Sequence, residues 1–230
     1  SNALDIAVTT LVTDTSGGTT KNQYLNDKGT GFAVETLTTG GTTGTIELTM
    51  GGALTDSLGT SATDITSNVL TIAGAGDVTS IETDVNTLNL TTALTSITNT
   101  GALTVGDSTL TGDLTLTNDA NITLGTISAS TNGVTLDAGT GGSVTVASIG
   151  TGGDLTLSDS AGTTFTGAVN ADAVTLFATT GAIAFQGDVT FDTSLTVQAG
   201  TYDVSFTGGT NLIARSEEHT SELQSPDHLV

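Results

Sequence analysis

Residues 152–167, GGDLTLSDSAGTTFTG, contain two short segments in which apolar and hydroxyl-bearing residues alternate, separated by Ser, Asp, Ala and Gly. In the first segment Leu155 and Leu157 flank Thr156, and the second ends at Phe165. Alternation over three residues between turn-forming residues is typical of short β-strands whose successive side chains point to opposite faces. We therefore expect the apolar side chains to face inward and the middle threonine to face outward.

This pattern recurs along the second half of the chain in three columns. The first column begins at Leu114, Val134, Leu155, Val174 and Leu195, the second at Ile122, Val144, Thr163, Ile183 and Val204, and the third at Ile127, Ile149, Val169 and Val189. A repeat of roughly 20 residues is too short to bury its own apolar face. Repeats that stack as successive coils share one core. Because Thr and Gly are also poor helix formers, the sequence predicts an all-β fold: a single right-handed parallel β-helix, a solenoid with coils of roughly 20 residues and three strands.

The repeat predicts a β-helix over residues 45–214. About eight coils with a rise of ~4.8 Å each would form a rod on the order of 40 Å long. The first half is less regular, with triplets that begin at Ile46, Leu70 and Leu88. Leu103 is harder to place, so we expect loops or an offset strand there. Residues 4–44 are expected to form an N-terminal coil or a cap.

Three phenylalanines, Phe165, Phe185 and Phe206, fall one rung apart in the alignment. Stacked aromatic rings stabilise a core beyond the area that they bury. The spacing therefore predicts an interior aromatic ladder with a structural role rather than a platform for a ligand.

Both ends of the chain differ from the repeat. Residues 1–3 resemble an expression-tag scar, and residues 215–230, ending in EEHTSELQSPDHLV, resemble translated sequencing-adapter DNA. The alternative for this tail is a natural amphipathic helix with Ser216 as its N-cap. If the evolved sequence stops near Ala214, the last rung exposes an unpaired strand edge. We then expect the non-native tail to fold over that rung or two chains to associate end to end through it.

The charge balance excludes several partners. The chain has 24 acidic and 3 basic residues, a formal charge of −21; without the tail, 20 acidic and 2 basic residues remain, a charge of −18. With only Lys21 and Lys28 outside the tail, it cannot neutralise a row of phosphates, which argues against nucleic acid and anionic membrane surfaces. It also lacks the ~20 continuous apolar residues of a membrane span, so no membrane insertion is expected.

The residue types argue against catalysis. Residues 4–214 contain neither Cys nor His, which excludes Ser-His-Asp and Cys-His arrangements and zinc sites of the usual type. A glycosidase would need two carboxylates, for which Asp188 and Asp192 are the candidates. Because Asp at such positions is more often a turn former, we expect no enzyme: no catalytic residues, no cofactor or cofactor-binding residues and no metal ligands.

Calcium is the natural ligand to consider for an acidic repeat. The positions that precede the first column are Asp113, Gly133, Asp154, Ala173 and Ser194. Asp113 and Asp154 would lie two rungs, or about 9 to 10 Å, apart, whereas calcium binds oxygens at ~2.3 to 2.6 Å. They cannot share one ion. We interpret the alternation of Asp with small residues as avoidance of like charges on neighbouring strands.

A column of outward threonines raises the alternative of ice binding. Its members are Thr115, Thr135, Thr156, Thr175 and Thr196, and the residues two positions later are Thr117, Asp137, Ser158, Phe177 and Gln198. The irregular second column would spoil a regular water-ordering surface. The threonines are better explained by their preference for exposed strands.

Two stretches carry a family resemblance: residues 65–90, ITSNVLTIAGAGDVTSIETDVNTLNL, and residues 181–206, GAIAFQGDVTFDTSLTVQAGTYDVSF. They resemble the β-strand repeats of filamentous-haemagglutinin-like exoproteins and autotransporter adhesins. The resemblance implies an internal shaft segment of a large bacterial secreted or cell-surface protein, non-catalytic, whose candidate partners are host or cell-surface glycans or proteins. The family's secretion domain, with Asn-Pro-Asn type motifs, is not present. A carbohydrate-active or carbohydrate-binding β-helix is the alternative function, and an ice-binding β-helix a further one.

Overall fold

The chain forms a single all-β solenoid of about 10 turns. The structure is a computed structural model that describes residues 3–17, 21–40, 43–59, 62–74, 76–177, 179–214 and 216–218, the last three by their backbone only. The strand pairings found among these residues are parallel and join the strands into one continuous sheet. The predicted parallel β-helix is therefore confirmed.

The described residues form twenty-three strands. In chain order they are β1 (Leu4–Ile6), β2 (Thr10–Thr15), β3 (Gln23–Asp27), β4 (Gly31–Thr39), β5 (Thr45–Met50), β6 (Ala53–Asp56), β7 (Ile65–Gly74), β8 (Val78–Thr91), β9 (Thr95–Asn99), β10 (Leu103–Val105), β11 (Ser108–Thr109), β12 (Leu114–Asn118), β13 (Ile122–Ser130), β14 (Val134–Asp137), β15 (Ser143–Thr151), β16 (Leu155–Asp159), β17 (Gly162–Phe165), β18 (Val169–Leu176), β19 (Ile183–Phe185), β20 (Val189–Val197), β21 (Val204–Phe206), β22 (Asn211–Ile213) and β23 (Ser216–Glu218). The described residues include no helix that is long and apolar enough to cross a membrane.

The three predicted columns pair residue by residue. In the first column Leu155 lies between Val134 and Val174 on the adjacent rungs. The second column has the register Ile122, Val144, Thr163, Ile183 and Val204, and the third has Ile127, Ile149, Val169 and Val189. The alignment drawn from apolar-Thr-apolar triplets is therefore confirmed throughout the second half.

The irregular first half has a physical explanation. Ile46, Leu70 and Leu88 pair in succession and join the second column. On the next rung Leu88 pairs with Val105, whereas Leu103 pairs with Ile122 above it. The triplets that begin at Leu88 and Leu103 are thus offset by two residues. A register shift by an even number of residues keeps the apolar side chains facing inward. The triplets, however, no longer align with one another in the sequence.

One apolar core runs the length of the solenoid, as the alternation predicts. The inward residues of the second half, such as Leu114, Leu155 and Leu157, are completely buried. The phenylalanine ladder is present: the rings of Phe165 and Phe185 stack at 4.6 Å between centroids, and those of Phe185 and Phe206 at 4.9 Å. The core is therefore shared between coils rather than closed within each of them.

Buried asparagines form a second, polar ladder at one turn. Asn99 donates from Nδ2 to Oδ1 of Asn118 at 3.2 Å, and its own Oδ1 accepts from the Thr83 hydroxyl at 2.8 Å. The Asn118 amide in turn donates to the Ala120 carbonyl at 2.8 Å. Because both asparagines are almost fully buried, the bonds between their side chains and to Thr83 satisfy polar groups that water does not reach.

Replacing Asn118 with alanine should lower the free energy of unfolding by about 2 kcal/mol, since it removes the donor to the Ala120 carbonyl and the acceptor of the buried Asn99 amide. The loss is measurable as a lower midpoint in urea denaturation followed by circular dichroism. Asn170→Ala is the matched control, because Asn170 is exposed on β18. Equal losses in the two variants would show that the buried ladder has no special role.

Strands also form outside the predicted repeat. Within residues 4–44, strand β1 pairs with β3 and β2 with β4, and both pairs continue into the next coils. In the adapter-like tail, Ser216–Glu218 pairs with Leu195–Val197 of β20, so the alternative helix capped by Ser216 does not form there. The rest of the tail, residues 219–230, lies outside the described residues.

Candidate functional site

The acidic turn residues bond to the backbone of the next rung. Oδ1 of Asp113 accepts a hydrogen bond from the Gly133 amide at 2.8 Å, and Oδ1 of Asp154 accepts one from the Ala173 amide at 3.3 Å. Asp107, Asp188, Asn22 and Asn121 do the same for Thr126, Thr210, Thr45 and Ser143. These side chains cap strands from one coil below, which is a structural use of a carboxylate or amide oxygen.

Avoidance of like charges explains only part of the acidic pattern. Asp113 is followed one rung later by Gly133, as predicted, but Asp137 pairs with Asp159 across a register shift. The Asp137 carboxylate accepts a hydrogen bond from the Gly139 amide at 2.9 Å. The same shift moves Ser158 out of line with Asp137. Because the bulge was not visible in the sequence, the neighbour of Asp137 could not be predicted.

The two candidate glycosidase carboxylates, Asp188 and Asp192, both lie on the surface. Asp188 is exposed, and it caps Thr210 at 2.8 Å. Asp192 is exposed within β20. The threonine column is in register, with Thr115, Thr135, Thr156, Thr175 and Thr196 on successive rungs. These threonines are only half-exposed.

A cluster of three carboxylates, which we call the acidic cluster, lies in the first half of the solenoid. Asp56 ends β6, Asp64 directly precedes β7, and Glu82 lies in β8. One carboxylate oxygen from each residue lies within 4.8 Å of the other two. This is the one such group of three or more potential metal ligands in the part of the chain that the structure describes.

Strand pairing positions Asp64 against Glu82. The Asp64 amide donates to the Glu82 carbonyl at 2.8 Å, and the Glu82 amide donates back to Oδ2 of Asp64 at 3.0 Å. The Asp64 carbonyl also accepts from the Leu37 amide at 2.7 Å. The backbone of three successive coils therefore holds the Asp64 carboxylate in place.

The electrostatics of the acidic cluster are unusual for this protein. Asp64 is only 1% exposed, and neither its Oδ1 nor Oε2 of Glu82 has a hydrogen-bond partner among the described residues. Burial raises the pKa of the Asp64 carboxyl to about 7, against the lowering effect of the Glu82 amide. The charge of Asp56 contributes to the same rise in that pKa. A buried carboxylate with a free oxygen is costly unless a positive charge or a proton compensates it.

The sequence contains a signal for two of the three members of this cluster. Asp64 and Glu82 are 18 residues apart, the same step that separates Leu70 from Leu88. Applying that step to the acidic residues would have placed Asp64 and Glu82 on adjacent rungs. Asp56 could not have been assigned to them, since it reaches the cluster across the connection between β6 and β7, which the repeat does not specify.

Shallow grooves elsewhere have uncharged linings. One of about 260 Å³ is lined by Gly74, Thr91, Thr92, Thr109 and Thr111. Another of about 270 Å³ is lined by Ala7, Val8, Thr9, Gly29, Thr30 and Gly31. Sugar-cleaving sites need carboxylates at the bond that breaks. These two linings offer none.

Comparison with known proteins identifies no relative: no protein-family model, no curated protein and no solved structure matches the chain. The assignment to the β-solenoid class therefore rests on the register of its own strands.

Proposed function

We propose that this chain is a shaft segment of a large bacterial secreted or surface-exposed, adhesin-like protein, and that it acts as a non-catalytic spacer. The observation that supports this role most directly is the continuous core, which passes through every coil without dividing into domains. A solenoid built in this way is stiff along its axis because each coil packs on both neighbours. About 10 turns at ~4.8 Å each give a rod on the order of 48 Å long.

The charge of the surface fits the same role. With 24 acidic and only 3 basic residues, neighbouring shafts would repel one another and remain soluble. Several of the acidic side chains also bond to the backbone of the adjacent coil, as Asp113 does to Gly133. The same residues thus contribute both to the surface charge and to the joining of coils.

A spacer should tolerate the loss of one complete coil. Deleting residues 167–186 joins Thr166 to Gly187 and preserves the inward and outward positions, because Gly167 and Gly187 occupy equivalent places one coil apart. We expect the variant to fold and its rod to shorten by ~4.8 Å in small-angle X-ray scattering. The matched control deletes residues 167–176, about half a coil, and should not fold. If both deletions prevent folding, the proposal that the coils act as interchangeable spacer units is wrong.

A binding screen tests the spacer role against recognition. The full chain is applied to a glycan array and to cell surfaces, with and without calcium. We expect no specific binding from a folded, β-rich protein. Saturable binding to one glycan class would overturn the passive shaft and favour a carbohydrate-binding β-helix.

A further inference from the structure

We propose that Asp56, Asp64 and Glu82 form a calcium site that fastens the connection between β6 and β7 to the following coil. This inference is independent of the spacer role, since a calcium site can stabilise a shaft, an adhesin or an enzyme equally. Among the described residues the acidic cluster is unlike the other carboxylates, because it brings three of them together.

The spacing of the cluster fits calcium. Oxygens bound to one Ca²⁺ at ~2.3 to 2.6 Å can lie up to about 5 Å apart, and Ca²⁺ tolerates irregular coordination, whereas Mg²⁺ demands near-ideal octahedral geometry and gives up its waters reluctantly. One oxygen from each carboxylate lies within 4.8 Å of the others. Three carboxylates, some of them bidentate, together with water can supply the ~6 to 8 oxygens that Ca²⁺ takes.

The unpartnered oxygens are a second, independent indication. Oδ1 of Asp64 and Oε2 of Glu82 are buried and accept no hydrogen bond. The other Asp64 oxygen, Oδ2, is held by the Glu82 amide. This bond fixes the carboxylate while it leaves Oδ1 free for a ligand. Buried polar groups in folded proteins nearly always have a partner, and a cation supplies one to both residues at once.

The capping aspartates show the contrast. Asp113 and Asp154 are exposed, each accepts a backbone hydrogen bond from the next rung, and the sequence places them two rungs apart. Asp64 also accepts such a bond from Glu82, but its carboxylate is buried and stands beside two others. Capping therefore explains the isolated aspartates and leaves the acidic cluster unexplained.

The position of the site indicates a structural role for the ion. Asp56 and Asp64 flank the connection between β6 and β7, and Glu82 belongs to the coil above. An ion bound to all three would tie that connection to two coils. Removing the ion should loosen this region first and leave the coils beyond β9 intact.

The test is a calcium titration of the full chain by isothermal titration calorimetry. We expect one Ca²⁺ per chain with a Kd on the order of 10⁻⁴ M, typical of extracellular modules, and weaker binding of MgCl₂. Asp64→Asn should weaken calcium binding at least tenfold. Asp113→Asn, which removes the same charge but keeps the capping oxygen, should bind as the unchanged chain does. Calcium should also raise the thermal midpoint of the unchanged chain and of Asp113→Asn, but not that of Asp64→Asn.

Several results would overturn the proposal. They are the absence of stoichiometric binding, equal affinity in Asp64→Asn and Asp113→Asn, or equal binding of Mg²⁺, each of which indicates adventitious surface cations only. If Asp64→Asn fails to fold by circular dichroism, Glu82→Gln decides the question by the same criteria. A coil-deletion result against the spacer would leave this titration unaffected, so the two proposals can fail separately.

Discussion

Replacing Phe185 with alanine is expected to lower the free energy of unfolding by about 3 to 5 kcal/mol. Phe185 is completely buried, its ring stacks between those of Phe165 and Phe206, and the ring of Phe191 meets it edge-on at 5.7 Å. Alanine at this position would leave a cavity that the stiff neighbouring coils cannot fill. It would also remove the central ring from both stacked pairs at once.

The matched control is Phe177→Ala, since Phe177 is 42% exposed and lies just after β18. Its loss should change the free energy of unfolding by less than about 0.5 kcal/mol. Urea denaturation of both variants, followed by circular dichroism, measures the difference. A small effect at Phe185, comparable to that at Phe177, would mean that the phenylalanine ladder contributes little to the joining of coils.

The second half of the fold was predictable because its periodicity leaves little freedom. Each triplet from Leu114 onward is followed by its partner after about one coil, and within the triplets the apolar residues stay in register. Strand register is strongly specified where one face is buried, since a shift of one residue would expose the whole apolar set. The pattern that begins at Leu114 therefore determines the pairing of the strands that follow.

The first half was less predictable for the same physical reason. A shift of two residues between Leu88 and Leu103 leaves every apolar side chain inside, so the burial pattern does not exclude it. The two-residue offset depends on packing between particular coils. Likewise, the register shift near Asp137 depends on the local turn, which the triplets do not describe.

The candidate site shows the limit of the repeat more sharply. The 18-residue step between Leu70 and Leu88 can be recognised in the sequence, and the same step places Asp64 and Glu82 on adjacent rungs. Burial of the Asp64 carboxylate is not predictable from the sequence, because an aspartate next to a turn is expected to be solvated. The repeat specifies neither that burial nor the presence of Asp56 as the third carboxylate.

Replacing Gly187 with alanine is expected to cost about 3 kcal/mol of unfolding free energy, because the new methyl group has no room. A Cβ at this position would lie 2.2 Å from the carbonyl carbon of Gly167 and 2.3 Å from its oxygen. Gly208 lies above Gly187 in the same way, and a Cβ at Gly208 would lie 2.0 Å from the Gly187 oxygen. The backbones of successive coils meet here without side chains between them, so the methyl group must push two rungs apart.

Gly150→Ala provides the control for this prediction. A Cβ at Gly150 meets nothing within 4 Å, and the residue lies in β15, in register with Asn170 on the next rung. Alanine there should be neutral or stabilise by about 0.4 to 1 kcal/mol, since it reduces the freedom of the unfolded chain. Thermal and urea denaturation of the two variants separate the explanations. If both lose stability equally, glycine is needed at these positions for its backbone freedom; if only Gly187→Ala does, close contact between coils is the cause.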